Sequence, residues 1–294
     1  MANLKAIRQR IKSVQSTGKI TRAMKMVAAA KVRRAQARVV ASRPFTQAVV
    51  RVLRECVAEV AAVDLQDLPL LHKRPIKKVA IIVLSSDRGL CGGYNTTVFR
   101  EVLSRITALK ESGKEVALIT VGLKAVSFFK SVKIEKLKAY SLLPAIPTVE
   151  EAKLIARQAE ELYTTGQVDA IEIIGTDFIS LIRSEVITTQ FLPVELPKGL
   201  DETGTLRPLR LFEPSVEAVM ADELLPKYVE NVIYQALLEA SASELAARMN
   251  AMTNASNNAR DLISSLTLVY NKARQAAITQ ELLEIVAGAE ALKG

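Results

Sequence analysis

The residues best placed to do chemistry lie in one short stretch, Ser85-Ser86-Asp87-Arg88-Gly89-Leu90-Cys91-Gly92-Gly93-Tyr94-Asn95. It follows the apolar run VAIIVL and precedes a helix-like segment. A strand, a glycine-rich turn and a helix make the arrangement in which α/β proteins bind phosphate or present a nucleophile. The details exclude the usual versions. There is no Lys-Ser/Thr of a P-loop and no G-x-G-x-x-G of a dinucleotide turn. A Cys91 nucleophile would want a histidine, and the single histidine, His72, sits in the proline-flanked LPLLHKRP outside this unit. Cys91 is therefore expected to be a small buried residue in a structural turn. Gly89, Gly92 and Gly93 are expected to supply positive φ there. His72 reads as a loop histidine. The pairs Glu150/Glu151 and Glu160/Glu161 fall in helical patterns and read as solvated faces. Cys56 and Cys91 share no metal or redox spacing, which fits a reducing compartment. The expectation is a chain with no catalytic set, no metal site and no cofactor.

The elements around that turn predict an α/β layer. KKVAIIVL, EVALITVG, DAIEIIGTDF and SEVITTQFLPV read as strands. TTVFREVLSRITALKESG is a helix ending at Gly113, and LKAVSFFK is a short helix opened by Gly122. TVEEAKLIARQAEELYTTG has a Thr148 cap and a glycine stop. Strands alternating with helices give a mostly parallel sheet over roughly residues 75–212. Residues 194–214 read as a proline- and glycine-rich loop.

The two ends differ from this middle. Residues 1–54 hold 14 of the 40 Lys and Arg and none of the 31 Asp and Glu. A solvated helix face usually carries both signs, so something negatively polarised is expected to face this segment. Leu4, Ile7, Ile11, Val14, Thr21, Met24 and Ala28 recur at steps near three and four, with Gly18 in the gap. That is a long amphipathic helix with a narrow seam, running over residues 1–62 with a break or kink at Pro44. From Lys227 to Ala287 there is neither Gly nor Pro, which predicts roughly 90 Å of helix at 1.5 Å per residue. Leu245, Met249, Met252, Ala259, Leu266, Ala273 and Ala277 continue a seam of threes, fours and sevens. An α/β domain of this size has a radius of gyration of about 15 Å, so residues 215–294 must project from it and pair antiparallel with the N-terminal helix. The C-terminal arm is the longer, leaving ITQELLEIVAGAEALKG as apolar surface that its own chain does not cover. No run of about 18 uncharged apolar residues predicts a transmembrane helix, and the N-terminus has no apolar core of a secretory signal.

GKITRAMKMVAAAKVRRAQ, SSDRGLCGGYN and LVYNKARQAAITQELLEIVAGAEAL, in that order along the whole chain, resemble the γ subunits of F-type ATP synthases. The end motifs and ASELAARMNAMTNASNNA look closest to the cyanobacterial and chloroplast branch. Residues 194–214 are short and contain no cysteine, so the resemblance carries over no thiol switch. It implies a central rotor shaft: an antiparallel two-helix coiled coil inside the alternating hexamer of α and β subunits, above an α/β domain that joins the ε subunit and the membrane c-ring, in one copy per complex. The nucleotide chemistry would belong to the partners, with no direct membrane insertion. The complex would lie on the cytoplasmic face of a plasma membrane, or the stromal or cytoplasmic face of a thylakoid. The match implies β-subunit contacts for Arg248 in ELAARM and Gln275 in NKARQ, and for Thr279 and Glu281 in ITQE. Met24 in RAMKMV would face a charged β loop, where a neutral side chain avoids an ion pair; the alternative is a plain seam methionine. Phe212 and Glu213 match a Tyr-Glu-Pro segment on the c-ring and ε side. Ile278, Leu282, Leu283, Ile285 and Val286 would form a bearing tip. Two rivals are a basic nucleic-acid-binding coiled coil, with DNA affinity falling steeply with salt, and an enzyme with a small ligand near Gly89–Gly93. Against the first, Phe45 is the one aromatic residue in 1–54.

Overall fold

A computed structural model describes residues 4–59, 68–195 and 215–291. In chain order these form α1 (Leu4–Glu59), β1 (Lys78–Leu84), α2 (Tyr94–Glu111), β2 (Glu115–Val121), α3 (Leu123–Phe129), β3 (Glu135–Tyr140), α4 (Val149–Thr164), β4 (Ala170–Phe178), β5 (Ser184–Leu192) and α5 (Leu225–Ala291). One helical turn, Val216–Val219, and a π-turn, Met220–Leu224, lead into α5. The chain forms two compact units, one of residues 29–247 and one of residues 1–28 with 248–294.

The larger unit is built on a five-stranded sheet of order β3-β2-β1-β4-β5. Strands β1 to β4 run parallel, and β5 pairs antiparallel with β4 at one edge. Strands β1, β2 and β4 are buried along almost their whole length. That is why they read as continuous apolar runs, since both faces of a parallel sheet are covered. Alternate residues feed two cores. Val79, Ile81 and Val83 point to the side held by α2 and α3, where Val98, Phe99, Val102 and Phe129 pack. Ala80, Ile82 and Leu84 point to the other side, shared by α4 and the terminal helices, with Leu53 and Cys56 of α1 and Val229, Ile233 and Leu237 of α5.

Helix ends follow the local rules. Thr148 caps α4 as expected, and it does so in a capping box with Glu151, the Thr148 N–H donating to Glu151 Oε2 at 2.8 Å. Gly113 and Gly166 take φ of 75° and 76° just past α2 and α4, the left-handed stop that glycine adopts without strain. Two features differ from the sequence pattern. Strand β3 was not foreseen: EKLKAY is charged and partly exposed because it forms a sheet edge. No break occurs at Pro44: α1 runs from Leu4 to Glu59 with Pro44 inside it. The ring removes one hydrogen bond, but Val39, Val49 and Leu53 anchor the turns on either side in buried apolar contact. The Leu192–Pro193 peptide is cis.

Candidate functional site

The glycine-rich turn is closed on itself. Asn95, in the first turn of α2, accepts the Ser86 N–H at 3.1 Å and donates to Ser86 Oγ at 2.8 Å and Cys91 Sγ at 3.3 Å. The Ser86 hydroxyl donates to the Arg88 carbonyl at 2.8 Å. Asp87 reaches sideways, its Oδ1 accepting the N–H groups of Leu123 at 2.8 Å and Leu142 at 3.0 Å. Ser85 Oγ accepts the Ala125 N–H at 2.9 Å. The polar side chains of the stretch thus tie the β1–α2 turn to the β2–α3 and β3–α4 connections. Cys91 is buried, free of any disulfide, and inside this web. His72 is exposed in its loop, and its carbonyl accepts the Tyr163 hydroxyl. A structural turn is what the geometry supports. One detail is corrected: among Gly89, Gly92 and Gly93, Gly92 alone has a left-handed φ, at 60°, and Leu90 takes the other left-handed position at 64°. Gly93 instead caps α2 with φ of −82°.

The acid pairs read as solvated divide in the same way. Glu150 is exposed, and Glu151 is occupied by its capping box. Glu160 departs from the expectation: it is half-buried, and its Oε1 has no hydrogen-bond partner. Burial, and then the Glu230 carboxylate, push its pKa up to about 7, against a smaller pull from Arg157.

The smaller unit contains the N-terminal stretch of α1 and the C-terminal stretch of α5. The residues of α1 that lose exposure there are Leu4, Ile7, Ile11, Val14, Gly18, Thr21, Met24, Lys25 and Ala28, a three-four rhythm along one stripe. On α5, Met249, Met252, Ala259, Leu266, Ala273 and Ala277 do the same, as their spacing predicts. A Cβ placed on Gly18 would stand 3.4 Å from the Ala259 Cβ, so the glycine marks a close approach of two backbones. The helices run antiparallel. Past Ala277 every described residue whose side chain is placed is exposed.

The residues singled out by resemblance fall along these helices. Met24 is half-buried in the seam of α1 and Arg248 is half-buried on α5, while Gln275, Thr279 and Glu281 are exposed on α5. The apolar tip residues Ile278, Leu282, Leu283, Ile285 and Val286 are 49%, 56%, 64%, 67% and 61% exposed. That is apolar surface no part of the described chain covers. Phe212 and Glu213 lie outside the described residues. Ile20, Met26, Leu268 and Val269 are further exposed apolar side chains in this unit. The single-residue readings did not anticipate them; the signal was apolar residues lying off the three-four seam.

Comparison with known proteins decides between the shaft and its rivals. The family described as ATP synthase matches residues 3–292. The ATP synthase gamma chain of Thermosynechococcus vestitus is 48% identical over the full length of both chains. That of Synechococcus sp. strain PCC 6716 is 46% identical, again over both full lengths. The chain belongs to the ATP synthase gamma family. Its role is that of the central rotor shaft, a non-catalytic subunit peripheral to a membrane complex. No described helix is long and apolar enough to cross a membrane. Among solved structures, the central stalk and c-ring assembly of Tetrahymena thermophila mitochondrial ATP synthase contains a chain with a TM-score of 0.58 and 25% identity. It covers 81% of this chain and 99% of its own. A chain of the Euglena gracilis mitochondrial ATP synthase rotor, at 21% identity, shares the fold with a TM-score of 0.64, covering 94% of this chain and 98% of its own. The nucleic-acid and enzyme readings find no support in these relatives.

Proposed function

We propose that this shaft turns inside an alternating hexamer of α and β subunits, in one copy, with the α/β domain joined to an ε subunit and to the c-ring. Proton flow turns the ring and the shaft. The asymmetric shaft then carries the three β sites through different conformations, and ATP is made there. The observation that supports this best is the bare distal pair of helices: a basic, acid-poor α1 and an apolar α5 tip, both left open by their own chain. Arg248, Gln275, Thr279 and Glu281 supply hydrogen bonds to carboxylates and backbone of the passing β subunit. Met24 presents a neutral side chain to a charged β loop. Phe212 and Glu213 belong to the c-ring and ε side, and Ile278, Leu282, Leu283, Ile285 and Val286 form a bearing tip. The shaft binds no nucleic acid and inserts into no membrane. The complex lies on the cytoplasmic face of a plasma membrane or the stromal or cytoplasmic face of a thylakoid. The lack of a cysteine in 194–214 supports a shaft without a thiol switch.

The test is direct. The chain is assembled with cognate α and β subunits, the hexamer is fixed to glass, and a bead is attached to the α/β domain. Stepwise rotation in one direction on adding ATP is expected. An assembled hexamer that hydrolyses ATP while its bead stays still would make the chain a static scaffold. Deleting the last dozen residues is expected to weaken assembly more than it lowers torque. Complete loss of rotation in a well-assembled complex would end the bearing assignment.

A further inference from the structure

A shaft helix that only had to pack would present an apolar face to the domain that carries it. In the larger unit α5 presents such a face, with Val229, Ile233 and Leu237 in the core, and beside it carries a ladder of polar contacts as well. Asn231 Nδ2 donates to Thr46 Oγ1 of α1 at 2.9 Å, and Asn231 is buried. One turn on, the Gln235 Oε1 accepts the Ser42 hydroxyl at 2.5 Å, and its Nε2 donates to Glu239 Oε1 at 2.6 Å. One further turn on, Glu239 Oε2 accepts the Phe178 N–H at the end of β4, at 3.1 Å. Residues 231, 235 and 239 are spaced by four and lie on one face of α5; Ser42 and Thr46 are spaced by four on α1. The next residues of α5 are gripped by two separate connections of the sheet. The Tyr94 hydroxyl donates to the Ala240 carbonyl at 3.2 Å, and Ser241 Oγ donates to the Ala145 carbonyl at 2.6 Å.

The apolar residues on either side, such as Val39, Leu53, Ile233, Leu238 and Ala242, already supply the burial that holds the helices together. Apolar contact is non-directional. It resists separation but offers little resistance to one helix sliding along, or rolling on, another. Hydrogen bonds are directional and weaken steeply off axis. A buried polar position in a helix pair is also the best-attested device for fixing register. The feet of the ladder stand on three different elements: Tyr94 at the start of α2, Ala145 before α4, and Phe178 at the end of β4. Turning α5 against the sheet in either direction must stretch one of them. Burial keeps the Tyr94 phenol in its protonated, donating form, its pKa pushed well up.

The geometry points to this polar ladder as a torque lock: Asn231–Thr46 and Gln235–Ser42 fix α5 against α1, Glu239, Tyr94 and Ser241 fix α5 against the α/β domain, and together they hold the shaft helices in angular register with the sheet that drives or is driven by them. These are positioning residues and touch no nucleotide. The lock rests on the rotor role of the family and goes beyond it by naming where twist is carried within the chain. The experiment uses the assembled motor and the variant Ser42→Ala, Thr46→Val, Asn231→Leu, Gln235→Leu. Both partners of the Ser42–Gln235 and Thr46–Asn231 pairs are replaced by apolar groups, and Glu239 loses its Gln235 donor but keeps the Phe178 N–H, so packing is retained and only a modest loss of stability is expected. With the bead on the α/β domain and the motor stalled, the angular distribution is expected to broaden by about twofold as directional bonds are lost. Protons pumped per ATP are expected to fall, while ATP hydrolysis stays near wild type. Restoring Asn231 and Thr46 alone is expected to recover part of the stiffness. If the quadruple variant does not assemble, Tyr94→Phe and Ser241→Ala each remove one hydroxyl from a retained side chain and are read in the same way. Rotation with an unchanged angular width and an unchanged pumping ratio, in the quadruple variant or in both single variants, would overturn the lock. Such a failure would leave the rotor assignment standing, since the bead would still turn.

Discussion

The same two helices are treated differently in the two units. In the larger unit α1 and α5 bury Val32, Val39, Leu53, Leu225, Val229, Ile233, Leu238 and Leu245, large side chains against a sheet and each other. In the smaller unit the rhythm of threes and fours continues, but the buried residues among those described are Thr21, Ala28, Met252 and Ala259. Ile20, Met26, Leu268 and the residues past Ala277 stay open. Periodicity alone therefore does not say how much a coiled coil stabilises itself. The size of the seam residues does. One stretch is completed by its own chain, and the other keeps its apolar area for a partner.

Truncating the seam in each unit should break this comparison most visibly. Leu53 is fully buried among α1, α5 and the sheet, and Leu53→Ala is expected to cost about 2–5 kcal/mol. Leu268 is 69% exposed, and Leu268→Ala is expected to stay within about 0.5 kcal/mol. Denaturant unfolding of both variants measures this directly. Equal losses would mean that the distal helices are packed as firmly as the proximal ones. In the assembled motor the order should invert for binding, with Leu268→Ala the variant that weakens assembly.

A second test leaves the helices alone and strikes the turns at the sheet end. Gly122 has φ of 96°, and a Cβ there would lie 2.2 Å from the Ser85 carbonyl oxygen. Gly122→Ala combines an unfavourable backbone region with a backbone clash, so a cost of at least about 1–3 kcal/mol is expected. Calorimetric melting would show it. A silent substitution would mean that the web around Asp87 and Asn95 is dispensable to the larger unit.

The smaller unit offers the opposite sign. Gly18 lies inside α1 at the close approach to Ala259, where an added Cβ at 3.4 Å makes tight but tolerable contact. Alanine is the better helix former by about 1 kcal/mol. Gly18→Ala is therefore expected to stabilise the distal helices by up to about that amount, seen as slower amide exchange near residues 18 and 259. Faster exchange would show that the contact has no room for a methyl group.

Much of this was legible in the sequence, for reasons that can be traced. Strands β1 and β2 are apolar on both faces, and β4 is nearly so, with Glu172 paired to Arg105, so their runs stand out. The seams of α1 and α5 were readable because each residue needs only its own helix to define a stripe. Strand β3 was hidden because an edge strand carries exposed charge, as in EKLKAY, and lacks the apolar run of the interior strands. The break that Pro44 allows is absent because the rule for proline is local, and the packing that carries α1 through it is not. Leu90 taking a left-handed φ beside three glycines was equally invisible, since Asp87 fixes the turn through contacts with residues 123 and 142, while Asn95 closes it on Ser86 and Cys91. The polar ladder of α5 lay in plain view as Asn231, Gln235 and Glu239 at steps of four. Its partners sit 185 and 193 residues away in the sequence, and no spacing rule reaches that far.

Glu160 gives the finest probe of the same distinction between what a helix shows locally and what covers it. It adjoins Ala156 and Ala159 of the buried stripe of α4, so its position alone reads as flank. The cover is Glu230 of α5, with Arg157 at 4.0 Å from that carboxylate as a weak counter-charge. The folded state raises the Glu160 pKa from 4.5 to about 7, chiefly through burial and then through Glu230. The folded protein therefore holds this proton more tightly than the unfolded chain does. Its contribution to stability is fully present below about pH 4.5 and is lost as the pH rises to about 7. Glu239, also pushed up to about 7 by burial and then by the Asp177 carboxyl, titrates in the same window, so the wild-type slope belongs to both. The difference between wild type and Glu160→Gln isolates the first. At pH 5 the two proteins should melt within a degree or so of each other, because a protonated glutamate and a glutamine are alike in charge. At pH 8 the glutamine variant should melt higher, by a modest amount since the carboxylate keeps some access to water. A melting difference that does not change between pH 5 and pH 8 would show that Glu160 ionises in the folded protein as readily as in the unfolded chain, and that α5 does not cover it.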